Sequence, residues 1–204
     1  MLALSFRILP GSIALAGLVV VALSAGGARH DEIHPAEMRV FRAINRLPGW
    51  LYGPLWVPMQ FGNLVVGLLA GLVVAVLLRD WPVAIAVVVA TFLKLVVERA
   101  IRHRMTAFAE VRQRPGTSEP GAILRGGDVP KAGASFPSGH IILAAAIATV
   151  LSSALDPALV VLPWLCAFLV MFGRIYVGAH NPLDVTAGVG AGMLIGGVLD
   201  LLLR

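Results

Sequence analysis

Charge is scarce in this chain of 204 residues: Asp, Glu, Lys and Arg together make up 13% of it, where soluble domains carry about a quarter. With 58% hydrophobic residues and a mean hydropathy of +0.89, the composition is that of a membrane protein. Cysteine is almost absent as well. Cys166 is the single one and lies in an apolar run. That excludes a disulfide framework and a thiolate metal site, and leaves a small buried or lipid-facing residue. Also missing are the period-3.6 apolar stripes of soluble amphipathic helices, because the apolar residues come in long runs. No stretch reads as a separate soluble domain, so residues 1–204 are read as one membrane domain.

Lysine is rare too. Fourteen of the sixteen basic residues are arginine, and eight basic residues fall between Lys94 and Lys131. A basic cluster serves nucleic-acid binding in soluble readers, but a bilayer-embedded chain is no place for one. Anionic lipid head groups or phosphate esters are the natural partners, and the planar guanidinium fork suits phosphate oxygens.

A bilayer takes roughly 20 apolar residues to cross. Six candidate spans appear, at about 8–27, within 55–78, and at about 81–97, 140–155, 158–172 and 185–203. The predicted fold class is therefore an all-α membrane bundle of six transmembrane helices. Charged or proline-bearing breaks such as Arg79-Asp80-Trp81-Pro82 and Asp156-Pro157 divide them. The first span has a rival reading as a signal peptide, from Arg7, the apolar stretch and Ser24-Ala25-Gly26-Gly27-Ala28. Between the first two spans, Ile33, Met38, Phe41, Ile44 and Leu47 recur at helical spacing with Arg39, Arg42 and Arg46 among them. That predicts an interfacial amphipathic helix, with Trp50, Tyr52 and Trp56 at head-group level. Six spans place the loops 29–54, 101–135 and 174–184 on one side of the membrane.

Every polar motif falls on that side. In the last loop, Asn181-Pro182 is a good helix start, with Asp184 in the first turn above His180. There Asp184 either complements the helix dipole or orients one imidazole nitrogen and frees the other to attack. Pro137-Ser138-Gly139 makes a turn into a helix whose free N–H groups suit an anion, and Ser138 is equally an ordinary N-cap. His140 sits in the first turn of a membrane helix, where an ionisable side chain is costly and so marks function. Together these supply a nucleophile, an acid for a leaving oxygen and cations for equatorial oxygens, the parts of a phosphoryl-transfer site. The charges Glu119, Arg125, Asp128 and Lys131, in the Gly- and Pro-rich loop 116–133, read as solvated. His30, His34 and His103 read as interfacial, with no metal spacing among them.

Pro137-Ser138-Gly139-His140 together with Arg174-x5-His180-x3-Asp184 resembles the type-2 phosphatidic acid phosphatase superfamily, over spans three to six (motif-bearing core 81–204). The resemblance implies a six-helix membrane fold and metal-independent hydrolysis of lipid phosphates through a phosphohistidine, with no cofactor. It implies His180 as nucleophile, Asp184 as its orienting partner and His140 as the acid. Ser138, Gly139 and Arg174 would hold phosphate, and the site would face the extracytoplasmic side of the cell membrane. The sequence departs from the family pattern twice. Gly173 stands where a serine usually precedes the motif arginine. The first motif, K-x6-R-P, is out of register: Ile101 lies seven residues after Lys94, and Arg102 one later, rotated by about a further 100° on a helix. The candidates for this motif are Lys94, Arg102, Arg112 and Arg114, the last two in the segment Val111-Arg112-Gln113-Arg114-Pro115. Arg114, in the Arg-Pro pair, is the expected motif arginine, and Lys94 is either the motif lysine or the partner of Glu98 at i+4.

Thirteen basic residues fall on the motif side and three, Arg7, Arg79 and Arg204, on the other. The positive-inside rule would put the motif side in the cytoplasm; the resemblance puts it outside, and we side with the resemblance because phosphate chemistry places catalytic arginines. The expected enzyme is a lipid phosphate or prenyl diphosphate phosphatase, with phosphatidate, phosphatidylglycerophosphate, undecaprenyl diphosphate and other prenyl phosphates as candidate substrates. The alternatives are a non-hydrolytic lipid-binding or transport protein of the same fold, and a phosphoryl or head-group transferase.

Overall fold

The computed structural model describes residues 10–29, 32–108 and 112–203; Arg7, His30 and Arg204 lie outside them. The described residues are helical, with no strand beyond a lone antiparallel bridge between Gln113 and Ala134. The helices are α1 (Pro10–Gly27), α2 (Pro35–Asn45), α3 (Tyr52–Met59), α4 (Leu64–Leu77), α5 (Trp81–Phe108), α6 (Pro115–Ser118), α7 (Gly139–Ser152), α8 (Val161–Tyr176) and α9 (Pro182–Leu203).

Helix α7 is the centre. Every residue from Ile141 to Leu151 is buried, and α9, α8, α5 and α4 pack around it. Small residues allow the closest approaches, as in membrane bundles where lipid supplies no drive for helices to associate. A Cβ on Gly192 would lie 2.7 Å from the Ala146 amide nitrogen, and one on Gly190 would lie 2.7 Å from the Gly17 carbonyl oxygen of α1. Outward, Leu18, Leu69, Val73, Phe92, Leu162, Phe168 and Leu202 are exposed, apolar surface that hydrocarbon covers in a bilayer. By length and composition α1 and α9 can each cross a membrane, and α3 with α4 makes a third span if that bent pair is one. Helices α7 and α8 are apolar but shorter.

Two of the expected spans differ from expectation. The second is broken: the helical segments 49–62 and 64–77 meet at 75°. Pro58 and Gly62 weaken the helix before the break, and Asn63 adopts extended backbone and restarts it, its Oδ1 accepting from the Val65 and Val66 amides. The third does not end at 97 but runs on to Phe108. Charged pairs one turn apart, Lys94 with Glu98 and Glu98 with Arg102, both at 2.8 Å, support that extension.

The predicted amphipathic helix is α2. His34 caps it, Nδ1 accepting from the Ala36 amide, and Pro35 opens it. Met38 and Phe41 are buried, but so are Glu37 and Asn45, which the apolar spacing did not mark. Asn45 donates to the Ile123 and Tyr176 carbonyls and accepts from the Ile123 amide. It thereby clamps α2, the loop 119–134 and the end of α8 together. Arg125 stacks on Tyr176 at 4.2 Å and donates to the Asn45, Leu47 and Tyr176 carbonyls. Glu119 is buried and takes both prongs of Arg42. Three of the loop charges expected to be solvated therefore have protein partners: Glu119, Arg125 and Asp128, the last against Arg174. Backbone groups left over in an irregular segment must be satisfied by something, and here arginine and asparagine side chains do it.

Replacing Gly190 by valine forces α1 away from α9. The expected cost is about 1–3 kcal/mol, measured as a lower unfolding midpoint in detergent; an unchanged midpoint would mean the seam does not carry the fold.

Candidate active site

The three polar segments meet at one end of the bundle. Helix α8 ends at Tyr176, and Gly178 turns the chain with φ +78°. A side chain there would meet the Ile123 carbonyl oxygen at 2.8 Å, so glycine is required on both counts. The turn brings the His180 amide back to the Arg174 carbonyl at 3.3 Å. Helix α9 then starts at Pro182, and Asp184 Oδ2 accepts from the Asn181 amide at 2.8 Å. That is the reciprocal bond of a helix N-terminus. The same Oδ2 faces His180 Nδ1 across 3.7 Å, longer than a hydrogen bond. Asp184 is thus cap and imidazole neighbour at once, and the two readings of the sequence do not exclude each other. His180 is 3% exposed and Asp184 fully buried. Burial pulls the His180 imidazole below the ordinary histidine range, against the opposing pull of Asp184.

Ser138 stands at the N-cap position of α7, yet its hydroxyl does not cap. Its amide donates to the Asp184 carbonyl at 3.0 Å, tying the start of α7 to that of α9. Its Oγ is buried and, among the described residues, has no hydrogen-bond partner. His140 follows one residue after Gly139 and packs against the broken span, since a Cβ on Gly62 would lie 2.8 Å from the His140 Cβ. Arg174, His180, Lys94 and Arg114 all lie close enough to act on His140 electrostatically. The structure therefore brings together His140, His180, Asp184, Ser138, Gly139, Arg114, Arg174 and Lys94.

The cations are held differently from one another. Arg114 donates to the Ala179 carbonyl at 2.9 Å, next to His180. Arg174 is 5% exposed and its Nη1 lies 3.5 Å from Asp128, whose side chain is 72% exposed. Lys94 is paired with Glu98, the alternative that its spacing left open, and Glu98 also binds Arg102. The Glu98 carboxylate sits against Gly139, where a Cβ would lie 2.7 Å from its Cδ. A side chain at 139 would therefore collide with that carboxylate, and glycine leaves room for it. At Gly173 the missing serine has a local reason: the Met59 side chain fills the space, and a Cβ on Gly173 would lie 2.7 Å from its Sδ.

Two residues of the site go beyond the sequence reading: Glu37 was not singled out there, and Arg112 was one of four candidates for the first-motif cation. Arg112 is 3% exposed; its Nε donates to Asp184 Oδ1 at 3.0 Å and its Nη2 to Glu37 Oε1. Glu37 Oε1 also accepts from the Leu183 amide at 2.9 Å. The available signal was a charged residue on the apolar side of an amphipathic helix. Among the described residues no group of three or more His, Cys, Asp or Glu gathers as metal ligands.

A helical membrane protein with its ionisable groups collected at one end of the bundle is the class that fold and site define together. Residues 81–202 match the PAP2 superfamily, and the chain belongs to that superfamily, with its phosphatase fold. The crystal structure of Aquifex aeolicus LpxE is similar, with a TM-score of 0.72 and 26% identity over 83% of this chain and 98% of that one. The first transmembrane PAP2-type phosphatidylglycerolphosphate phosphatase from Bacillus subtilis shares the fold, with a TM-score of 0.63 and 20% identity over 95% and 94% of the two chains. No curated protein matches the chain.

Arg102 is already engaged by Glu98, whereas Arg114 stands beside His180. Losing a charge-assisted contact costs about 1.5–3 kcal/mol, so Arg114→Ala should weaken orthovanadate binding about tenfold to hundredfold. Arg102→Ala should change it by less than about threefold, and calorimetry in detergent showing the reverse ranking would overturn the assignment.

Proposed function

We propose that the protein is an integral membrane phosphatase that hydrolyses a lipid phosphate ester or prenyl (di)phosphate through a phosphohistidine on His180, without a metal. The observation that carries this reading is the approach of His180 Nδ1 to Asp184 Oδ2. Closing that gap to a hydrogen bond as substrate enters would hold the proton on Nδ1 and leave Nε2 as the nucleophile. Nε2 attacks phosphorus and forms an N–P bond while the P–O bond to the lipid breaks. His140 gives its proton to the departing oxygen. Water then attacks the phosphorus, the N–P bond breaks, inorganic phosphate leaves, and His140 takes the water's proton back. Arg114, Arg174 and Lys94 balance the charge on the equatorial oxygens. The free Ser138 hydroxyl and the Gly139 amide donate to the same group, at the N-terminus of α7.

In the membrane, six crossings (α1, α3–α4, α5, α7, α8 and α9) carry the site to one interface, with α2 lying along it. We assign that interface to the extracytoplasmic face, against the count of basic residues, because Arg42, Arg112, Arg114, Arg125 and Arg174 of this end are engaged in the site and its loop. The Bacillus relative is a phosphatidylglycerolphosphate phosphatase, which makes that lipid the first of the panel to assay here. A non-hydrolytic lipid-binding role draws on one observation, the engagement of Lys94 by Glu98. A transferase differs only in the acceptor that replaces water.

Purified protein should release phosphate from phosphatidate, phosphatidylglycerophosphate or undecaprenyl diphosphate with EDTA present, and His180→Ala should abolish release. Activity that survives the substitution, or that needs added metal, would sink the mechanism. Attack requires neutral His180, and burial lowers its pKa, so the neutral form persists below the ordinary value of about 6.5. The acid limb of kcat/KM, corrected for titration of the phosphate ester, should have its midpoint below that pH. A midpoint above it would show an imidazole not held neutral by burial.

A further inference from the structure

Four buried side chains from four separate parts of the chain stand in line: Glu37 of α2, Arg112 of the loop, Asp184 of α9 and His180 of the turn before it. The links are Glu37 Oε1 to Arg112 Nη2, Arg112 Nε to Asp184 Oδ1 at 3.0 Å, and Asp184 Oδ2 to His180 Nδ1 at 3.7 Å. All four are less than a tenth exposed.

We infer that Arg112 and Glu37 are positioning residues for the nucleophile, acting on His180 through Asp184. The inference rests on the phosphohistidine reading above. A buried carboxylate can rotate about its own axis and offer either oxygen. Arg112 takes Oδ1 and the Asn181 amide takes Oδ2 from one side, so the carboxylate plane is fixed with Oδ2 towards the imidazole. Ligands that orient a reacting group are themselves oriented by an outer set of partners. Charge gives Glu37 its part. Arg112 alone would cancel the charge of Asp184, and a neutral pair does little for an imidazole that becomes cationic as Nε2 bonds to phosphorus. With Glu37 the buried group is two carboxylates and one guanidinium, and one negative charge remains to be matched by His180. Glu37 also holds the Leu183 amide, in the first turn of the helix that carries Asp184. The site thus depends on α2, outside the matched residues 81–202.

The test uses the full chain in detergent micelles, with Arg112→Met, Arg112→Lys and Glu37→Gln. Two readouts are insensitive to the fraction of protein folded. One is the single-turnover rate constant for formation of phosphoenzyme, per trapped site. The other is the rate constant of His180 carbethoxylation by diethyl pyrocarbonate, followed by peptide mass spectrometry, which needs no substrate. Arg112→Met should lower the single-turnover constant at least about a hundredfold with KM within about threefold. Arg112→Lys, which restores charge without the fork, should recover about tenfold of that loss. Glu37→Gln keeps an oxygen to accept both bonds and removes only the charge, so it should cost about tenfold and folds even where Arg112→Met does not. Carbethoxylation of His180 should slow at least about fivefold in both. Unchanged per-site constants in Glu37→Gln and in whichever Arg112 variant folds would overturn the inference. If the wild type forms no phosphoenzyme from any lipid phosphate, the proposed function fails, and the carbethoxylation rates alone then decide the positioning role.

Discussion

Asp184 is a carboxylate with no access to solvent, and a charge in that position has to be matched on both oxygens by groups that folding itself brings up. Its Oδ1 takes the Arg112 guanidinium, its Oδ2 takes the Asn181 amide and faces His180, and its backbone carbonyl takes the Ser138 amide. Through these few bonds the starts of α7 and α9, the long loop and α2 are registered against one residue. Removing the carboxylate would leave the buried Arg112 Nε without its acceptor as well as freeing the imidazole. Stability and chemistry meet at the same atom pair, which is why the polar end of this bundle holds its shape with so much irregular backbone.

Positive charge reaches this end of the bundle by an unusual route for a chain whose first motif is out of register. Along α5, Lys94, Glu98 and Arg102 lie one turn apart and largely satisfy one another. Guanidinium groups beside His180 and Asp184 come instead from the end of α8, at Arg174, and from the loop, at Arg112 and Arg114, where the backbone is held by the Gln113–Ala134 bridge and by Ser135 bonding the Arg112 carbonyl. Relaxed spacing on the helix is tolerable because the loop carries part of the positive charge.

Much of this was legible in the residues. The histidines, Asp184 and the turn at Ser138-Gly139 are local features with local rules: caps, helix starts and ionisable groups where hydrocarbon makes them costly. The apolar spacing of 33–47 located α2. The break at Asn63 carried its own signals in Pro58, Gly62 and the asparagine, overlooked because the surrounding residues are so uniformly apolar. What no local rule reaches is pairing at a distance. Glu37 and Arg112 are 75 residues apart, and Arg112 and Asp184 are 72, so Glu37 went unmarked and Arg112 read as a candidate motif cation, not as the partner of Asp184. Glu119 and Arg125 were misjudged for the same reason, since a partner far along the chain turns a solvated charge into a brace.

The glycine seam between α1 and α9 has a mechanical consequence. Gly17 and Gly190 let the two backbones touch, and a Cβ on Gly197 would lie 2.7 Å from the Ala14 amide nitrogen. Neither helix can slide along the other without driving side chains into main chain. Helix α9 is therefore a pillar of fixed height, and the ionisable groups at its head, His180 and Asp184, keep their depth by packing and not by the thickness of the surrounding lipid. Any mismatch between protein and bilayer has to be taken up by the more loosely joined parts, foremost the elbow between α3 and α4.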